Sequence, residues 1–364
     1  MSAPTRLVLF CGATRWGGAE IVLGHLLEAL DASISPSLLG VDDGVLSRIA
    51  DRRPGTPWTV VPPITGKRDV SAIRAHRRAM IAARPDIVQL NLPVPFADAY
   101  SVLAAVTVPR ARVIVVEHLP MSITSRGVRQ LRRVTARRLS AHLAVGTSTA
   151  RQIETVIGLP TGSVEAVANG VPAGPAANRP VDARAPGAHF VIGAVGRLDR
   201  QKGFDVLLRA LQRLPDAHLV LVGDGPERAA LLDLAAALDV TNRVTITGWR
   251  EDVTALLGSF DVVAVPSRFE GLPLVILEAM LRARAIVATP VGSISEAVSH
   301  DRTGLIVPVD DDAALAAALL QLYEDPALRE RLGTRAAELA RTRFTQDAMA
   351  QRYARVYARV LDRR

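Results

Sequence analysis

Cysteine is almost absent from this sequence of 364 residues, and the single Cys11 excludes an internal disulfide framework and a zinc site built on cysteines. A reducing, cytoplasmic compartment fits this usage. Aromatic residues make up only 4%, which argues against a protein that binds nucleic acid by stacking bases. No apolar run is long enough to cross a bilayer, and the first one, which Gly12 and Arg15 interrupt, does not read as a signal peptide.

Lysine is nearly as scarce as cysteine, since Lys67 and Lys202 are the only two among 44 basic residues. The basic residues outnumber 36 acidic ones and give a formal net charge of +8. Such an excess attracts nucleic acids, anionic membranes or phosphorylated small molecules without choosing among them. Hydrophobic residues make up 49%, which is enough for a large core and excludes a mainly disordered chain.

Short apolar runs alternate with helical patterns almost throughout. Strands are predicted at 7–11, 34–41, 87–90, 112–116, 142–146 and 164–167, and again at 190–195, 219–222, 244–247, 262–265, 286–289 and 305–307. Helices are predicted between them, at 18–30, 69–83, 97–106, 123–140 and 148–157, then at 203–213, 226–238, 251–258, 274–283, 293–299, 312–323 and 326–342, with a last one from Thr345. Continuous apolar strands separated by helices predict an α/β protein with parallel sheets covered on both faces.

The segment 171–188 interrupts this alternation and is rich in proline, alanine and glycine, as a linker would be. We therefore predict a first domain at 1–170 and a second at 189–344, each a doubly wound sheet. Doubly wound sheets bind ligands at the carboxyl ends of their strands, so we expect a ligand in a crevice between the two domains.

The loop at 12–19 joins the first strand to the first helix. It lacks the Lys-Ser/Thr pair of a nucleotide triphosphatase loop and does not spell GxGxxG. Gly17 and Gly18 nevertheless bring bare backbone to a helix N-terminus, where amides favour an anion. A plain tight turn is the alternative.

The loop at 196–203 has the same position in the second half and adds Arg197 and Lys202. A planar guanidinium and a point charge beside a helix N-terminus suit a diphosphate. The alternative is solvated surface charge.

The stretch at 266–280 places Glu270 in a loop after a buried strand and Glu278 on the following helix. Carboxylates accept hydrogen bonds from sugar hydroxyls, and the first amides of the helix face an anion. The alternative for Glu278 is an ordinary exposed helix glutamate, but its apolar neighbours Val275, Ile276 and Ala279 weaken that interpretation.

Three further features are less specific. His118 ends a predicted strand and is suited to substrate contact, although a lone histidine is more often structural. The acidic run at 310–312 suggests a metal site or, as we favour, a helix N-cap. Cys11 reads as a core residue.

A predicted helix in the first half is crowded with arginine, at Arg126, Arg129, Arg132, Arg133, Arg137 and Arg138. A basic amphipathic helix can bind anionic lipid, and this predicts peripheral membrane contact through 126–138. A solvated face of an arginine-rich protein is the alternative that we favour slightly.

The sequence resembles the family-4 glycosyltransferases in an ordered set of motifs that covers nearly the whole chain. The motifs are GGAE at 17–20, NGV at 169–171, GRLDRQKG at 196–203, VGDGPER at 222–228, GWREDV at 248–253, PSRFEGLPLVILEAM at 266–280, ATPVGSISEAV at 288–298 and GLIVPVDD at 304–311. The resemblance is most specific at 169–312, where spacing and order both agree.

This resemblance implies the GT-B fold, in which two Rossmann-like domains face a central crevice and a C-terminal helix, here 345–364, crosses back to the first domain. It implies transfer of a sugar from a nucleotide-diphosphate sugar to a hydroxyl acceptor, with retention of configuration and with no metal or cofactor. The acceptor is expected to be a sugar or a lipid-linked or envelope glycan, and nucleic acid is not an expected partner.

The resemblance also assigns roles to residues. Arg197 and Lys202 would hold the diphosphate, Glu270 the donor sugar and Glu278 the ribose. Gly17, Gly18, Gly271 and Leu272 would lie near the diphosphate or sugar, Trp249 and Arg250 near the base, and His118 near the reacting carbon. Two alternatives stay open: a sugar-nucleotide epimerase on the same fold, and a non-catalytic sugar-nucleotide-binding protein.

Overall fold

The structure is a computed structural model that describes residues 3–174 and 189–362. It divides into two compact units: unit 1 holds the chain up to Pro172 together with the residues from Gln346 onward, and unit 2 holds Ala173–Thr345. Most of the predicted linker, 175–188, lies outside the described residues. Each unit is described by itself below.

Unit 1 is built on one parallel sheet. Its strands are β1 (Thr5–Cys11), β2 (Ile34–Gly40), β3 (Trp58–Val60), β4 (Ile87–Leu92), β5 (Arg112–Glu117), β6 (Ala141–Ala144) and β7 (Glu165–Ala166). Its helices up to this point are α1 (Gly18–Ala29), α2 (Asp43–Ala50), α3 (Val70–Ala82), α4 (Ala99–Ala105), α5 (Arg126–Ala136) and α6 (Thr147–Ile157). The strand order is β3-β2-β1-β4-β5-β6-β7, so β2 and β3 lie on one side of β1 and β4 to β7 lie on the other. The topological switch point is therefore between β1 and β4.

Unit 2 repeats the plan in residues 189–345. Its strands are β8 (Phe190–Val195), β9 (Ala217–Val222), β10 (Val244–Ile246), β11 (Val262–Val265), β12 (Ala285–Ala288) and β13 (Leu305–Ile306). Its helices are α7 (Phe204–Leu211), α8 (Arg228–Ala237), α9 (Val253–Leu257), α10 (Leu274–Leu281), α11 (Asp312–Glu324) and α12 (Pro326–Arg343). The order β10-β9-β8-β11-β12-β13 is again all parallel, with its switch point between β8 and β11. The predicted fold class, two doubly wound α/β units, is confirmed.

The sequence patterns missed two elements of unit 1, α2 and β3. The strand β3 has three exposed residues at the sheet edge, so it carries no buried apolar run. The helix α2 has eight residues and is capped by Asp42, whose carboxylate accepts from the Val45 amide. One predicted helix, at 293–299, is only a short 3-10 turn, Ile294–Glu296.

The acidic run at 310–312 caps a helix, as predicted. The Asp311 carboxylate accepts from the Ala314 amide, 2.8 Å away, at the start of α11. Its two neighbours form ion pairs, Asp310 with Arg268 and Asp312 with Arg213.

The last helix, α13 (Gln346–Asp362), belongs to unit 1 and packs against α1. It buries one face, formed by Met349, Ala350, Tyr353, Val356, Tyr357 and Val360. The Tyr357 hydroxyl donates to Gln89 Oε1 in β4 at 2.7 Å, which pairs a buried amide oxygen that would otherwise lack a donor.

A buried ion pair fixes α5 to the sheet. Arg132 is 1% exposed and its guanidinium donates to Glu117 at the end of β5, while His142 Nε2 lies 3.1 Å from the same Glu117 oxygen. Burial opposes ionisation of Glu117, but Arg132 and His142 hold its pKa below the usual range. Arg132 is therefore not part of the basic helix surface at 126–138 that we predicted from the sequence.

We predict that Arg132→Ala destabilises the protein by about 3–5 kcal/mol, because it leaves the Glu117 carboxylate buried and unpaired. The matched control is Arg133→Ala, an exposed arginine on the same helix, which should change stability by less than about 0.5 kcal/mol. Urea unfolding followed by far-UV circular dichroism measures both. Equal midpoints for the two variants would contradict the role given to Arg132.

Candidate functional site

The loops that follow β8 and β11 leave the sheet side by side, because these strands are neighbours at the switch point of unit 2. They are the loops at 196–203 and 266–273, the two segments with the densest candidate chemistry in the sequence. Parallel strands end at the same sheet edge, so residues far apart in sequence meet there.

Lys202 and Glu270 make direct contact across these loops. The Lys202 ammonium donates to Glu270 Oε1 at 2.6 Å, and the Ser267 hydroxyl donates to the same oxygen at 3.0 Å. Both partners are largely buried, with the Lys202 side chain 19% exposed and that of Glu270 7%. Among the described residues no hydrogen bond reaches Glu270 Oε2, so this oxygen is available to a ligand hydroxyl.

Arg268 holds the same two loops together, a role that the sequence analysis missed. Its guanidinium donates twice to the Asp205 carboxylate, at 2.8 and 2.7 Å, and once to the Arg200 carbonyl. It also pairs with Asp310, which lies in the segment before α11. Arginine suits this role because its planar guanidinium can donate several hydrogen bonds to separate segments. In a chain so rich in arginine, the residue type alone does not indicate which arginine has such a role.

Two glycines allow this close approach. Gly203, at the start of α7, has φ of +66°, and a Cβ there would lie 2.1 Å from the Pro266 carbonyl oxygen. Gly292 has φ of +56°, and a Cβ there would lie 2.1 Å from the Glu270 carbonyl oxygen. A side chain at Gly203 would therefore push the two loops apart, and one at Gly292 would push the segment after β12 away from Glu270.

The segment after Glu270 enters α10. Gly271 and Leu272 are buried, and the Gly271 carbonyl accepts from the Ser293 amide at 2.7 Å. Glu278 lies further along α10 and is partly buried, so it is not the ordinary exposed glutamate of the alternative interpretation. Burial raises the pKa of Glu278 to about 7, and Arg282, one turn later, offsets this only in part.

The remaining predicted residues of unit 2 lie nearer the surface. The Arg197 side chain is 60% exposed, and its Nε lies 3.9 Å from Asp199. Trp249 is 56% exposed. Arg250 forms a two-pronged ion pair with Asp252, at 2.7 and 2.5 Å, so its guanidinium is already occupied within its own loop.

In unit 1, Gly17 and Gly18 lie at the start of α1, as predicted. A Cβ on Gly18 would meet nothing within 4 Å, so this position faces open space. The Glu20 carboxylate lies beside the start of its own helix, with Oε2 3.1 Å from where a Cβ on Gly17 would lie, and burial raises its pKa. An acidic side chain thus already lies at the position where the sequence predicts an anion.

His118 follows β5 in unit 1. Its Nε2 is buried and finds no hydrogen-bond partner among the described residues. Burial lowers the pKa of His118 to about 4, although Glu117 opposes the shift, so the imidazole is neutral at neutral pH. The roles that the resemblance assigns to His118, Gly17 and Gly18 stay predictions.

The basic surface of α5 is narrower than the sequence predicts, because the helix ends at Ala136 and Arg132 is buried. Arg126, Arg129, Arg133 and Arg137 are exposed. Contact with lipid stays a prediction. Within residues 3–174 and 189–362, every helix is too short or too polar to cross a membrane.

Two parallel-sheet Rossmann-like units with this arrangement of loops define a protein of the GT-B class. Residues 16–174 match the family model described as Glycosyltransferase Family 4, and residues 189–325 match the one described as Glycosyl transferases group 1. The chain belongs to the family-4 glycosyltransferases.

Two curated proteins are similar to parts of this chain. The chain is 36% identical over 204 residues to the lipopolysaccharide core biosynthesis glycosyltransferase LpsD of Rhizobium meliloti, covering 55% of this chain and 59% of that protein. It is 36% identical over 146 residues to N-acetyl-alpha-D-glucosaminyl L-malate synthase of Bacillus anthracis, covering 40% of this chain and 38% of that protein. The chain thus spans about half the length of these curated relatives.

A solved structure has the same fold. The Anabaena protein HepE, in complex with UDP, superposes with a TM-score of 0.82 at 21% identity, and the match covers 97% of this chain and 99% of that one.

We predict that Glu278→Gln stabilises the protein at pH 8 by about 1–3 kcal/mol and has little effect near pH 4.5. A carboxyl whose pKa rises to about 7 on folding binds a proton in the native state that the unfolded state has lost, so its contribution to stability declines as pH rises from about 4.5 to 7. Thermal unfolding at both pH values measures the effect. The control is Glu338→Gln, an exposed glutamate on α12. A Glu278→Gln stabilisation that does not change with pH would contradict the prediction.

Proposed function

We propose that the protein is a retaining glycosyltransferase that moves a sugar from a nucleotide-diphosphate sugar to a hydroxyl acceptor. The observation that carries this proposal is the contact between Lys202 and Glu270 at the switch point of unit 2. It joins a cation suited to a diphosphate with a carboxylate suited to sugar hydroxyls. The relative LpsD is named as a glycosyltransferase, and the structure of HepE contains UDP.

In this proposal Lys202, Arg197 and the amides of Gly271 and Leu272 stabilise the negative charge that grows on the diphosphate as it leaves. The acceptor oxygen bonds to the anomeric carbon on the face that the diphosphate leaves, the bond from that carbon to the phosphate oxygen breaks, and the diphosphate takes the electron pair. The proton of the acceptor hydroxyl passes to the departing phosphate. Fixed positive groups lower the barrier because they need no reorganisation during the reaction.

The other residues have binding roles in the proposal. Glu270 Oε2 accepts from a donor-sugar hydroxyl, Glu278 accepts from the ribose, and the backbone around Trp249 and Arg250 faces the base. His118, Gly17 and Gly18 act from unit 1. The matched families are transferases, so the proposal keeps sugar transfer and drops the epimerase alternative.

The acceptor in this proposal is a glycan of the cell envelope or one carried on lipid, as the name of LpsD suggests. The protein would act in the cytoplasm, at the inner face of the membrane, with Arg126, Arg129, Arg133 and Arg137 beside anionic headgroups.

We predict that Lys202→Met and Arg197→Ala each reduce turnover by about 100-fold or more, as expected for the loss of charge stabilisation in the transition state. The donor is first identified by calorimetry with UDP-, GDP- and ADP-sugars, beginning with UDP-glucose. Sugar release and transfer are then followed for each variant. The control is Arg200→Ala, an exposed arginine of the same loop. Full turnover in either test variant removes that residue from the mechanism, and failure to bind any sugar nucleotide refutes the function.

We also predict that activity survives EDTA, because the cations and amides of the two loops supply the positive charge that a metal ion would otherwise supply. The assay compares turnover before and after dialysis against the chelator, and the protein in buffer alone is the control. Loss of activity that Mg²⁺ or Mn²⁺ restores would contradict the prediction and direct attention to Asp310, Asp311 and Asp312.

A further inference from the structure

The carboxyl group of Glu278 lies on α10 without a hydrogen-bond partner among the residues that the structure describes. The side chain is only partly exposed. Burial raises the pKa of Glu278 to about 7, and the charge of Arg282 opposes that shift. In the free protein at neutral pH, therefore, only about half of the molecules carry this group as a carboxylate.

The ribose contact proposed for Glu278 favours the ionised form. Two neighbouring hydroxyl groups of a ribose can both donate to a carboxylate, because each of its oxygens is an acceptor. A protonated carboxyl group carries a hydrogen on one oxygen and is the poorer partner for such a pair. A positive charge beside Glu278 would therefore strengthen donor binding near pH 7.

Arg282 supplies such a charge, one turn after Glu278 and directly after the end of α10. Its amide donates to the carbonyls of Glu278 and Ala279, at 3.2 and 3.1 Å, so the two side chains share one end of the helix. Burial lowers the pKa of Arg282, and Glu278 opposes that shift. The two charged groups therefore interact with each other.

The Arg282 guanidinium has a hydrogen-bond donor that is not in use. Its Nη1 donates to the Gly174 carbonyl at 3.2 Å, whereas its Nε is buried and has no partner in the part of the chain that the structure describes. Native proteins rarely leave a buried N–H without an acceptor. Since Glu278 is the acidic group that interacts with Arg282, its carboxylate is the acceptor that suits this N–H.

The elements packed around α10 add no charge of their own. The buried residues of α12 are apolar or small, and a Cβ on Gly333 in that helix would lie 2.1 Å from the Ala283 carbonyl oxygen, so the chain after Arg282 is closely packed. The elements α9, β11 and β12, which also pack against α10, contain no charged residue, and Glu278 is the one charged residue within α10. Arg282 therefore controls the ionisation of Glu278.

We propose that Arg282 is a positioning residue for the donor, and that it keeps Glu278 ionised so that both carboxylate oxygens can accept hydrogen bonds from the ribose. The proposal rests on the proposed function, since it concerns the ribose of that donor. Arg282 acts through Glu278 and does not itself contact the donor. Donor binding then depends on pH, because a proton on Glu278 competes with the ribose hydroxyls.

The test measures binding of a sugar nucleotide to the full chain by calorimetry between pH 6 and pH 8.5. UDP-glucose is the first ligand, with GDP- and ADP-glucose as replacements, because a terminal phosphate such as that of UDP itself titrates near pH 6. We expect the affinity to rise by up to about 10-fold over this range as Glu278 ionises. The 2′-deoxy and 3′-deoxy analogues should bind more weakly and show a smaller rise, because each has lost one of the two hydroxyls.

Variants connect the pH dependence to the side chains. Arg282→Gln should weaken binding by about 3- to 10-fold at pH 6.5 but by less than about 2-fold at pH 8.5, because Glu278 ionises at a higher pH without the guanidinium. Arg282→Lys keeps the charge and should restore the original profile. In Glu278→Gln the affinity should be low and nearly constant with pH, and adding Arg282→Gln should change it no further. Arg335→Gln, an exposed arginine of α12, is the matched control. Thermal unfolding shows whether each variant is folded, and if Arg282→Gln is not, Arg282→Met replaces it with the same expected direction.

Several outcomes would overturn the proposal. A loss of affinity in Arg282→Gln that is equal at pH 6.5 and pH 8.5 would mean that the guanidinium only supports the fold through Gly174. An affinity of the unaltered protein that does not change with pH, unchanged binding in Arg282→Gln, or a loss that Arg282→Lys does not restore would also contradict it. If a sugar nucleotide binds with any of these results, Arg282 has no positioning role while the proposed function stands; if no sugar nucleotide binds, the proposed function itself fails.

Discussion

The contact between the Lys202 ammonium and the Glu270 carboxylate joins loops that are 68 residues apart in sequence. A largely buried ion pair is costly unless its geometry is good and other hydrogen bonds support it. Here the Ser267 hydroxyl supports the carboxylate and the Arg268 fork holds the loops together, so the pair is kept in place before any ligand arrives. Preorganisation of this kind lowers the conformational entropy that the loops themselves must lose when a ligand binds.

The two units differ in the charge that they place at the switch point of the sheet. Unit 2 presents cations on the loop after β8, whereas unit 1 presents the carboxylates of Glu20 and Asp98 around the loop after β1. One topology therefore presents two kinds of charge, because the strand order fixes where the loops emerge and the side chains decide which groups they carry. In unit 1, Asp98 at the N-cap position of α4 has a left-handed backbone, and its side chain accepts no hydrogen bond from the first turn of the helix.

The fold could be read from the sequence because parallel strands buried on both faces form continuous apolar runs, as in β4, β8 and β11. The positions of Lys202 and Glu270 at the carboxyl edge of the sheet could also be predicted, because both residues lie in loops that follow such buried strands. Arg132 and Arg268 could not, because their roles depend on contacts with residues distant in sequence. Among many arginines, no local pattern separates a buried one from its exposed neighbours.

Unit 1 takes its first strand from the start of the chain and its last helix, α13, from the far end, with unit 2 inserted between them. On a translating ribosome the amide of Gln89 emerges 268 residues before the hydroxyl of Tyr357 that pairs with it. At about 5–20 residues per second, synthesis of the intervening chain takes roughly 13–54 s. During that time the face of α1 that α13 covers is open to chaperones or to other nascent chains. The unit that is made first is thus the one completed last, whereas unit 2 can fold as soon as Thr345 has left the exit tunnel.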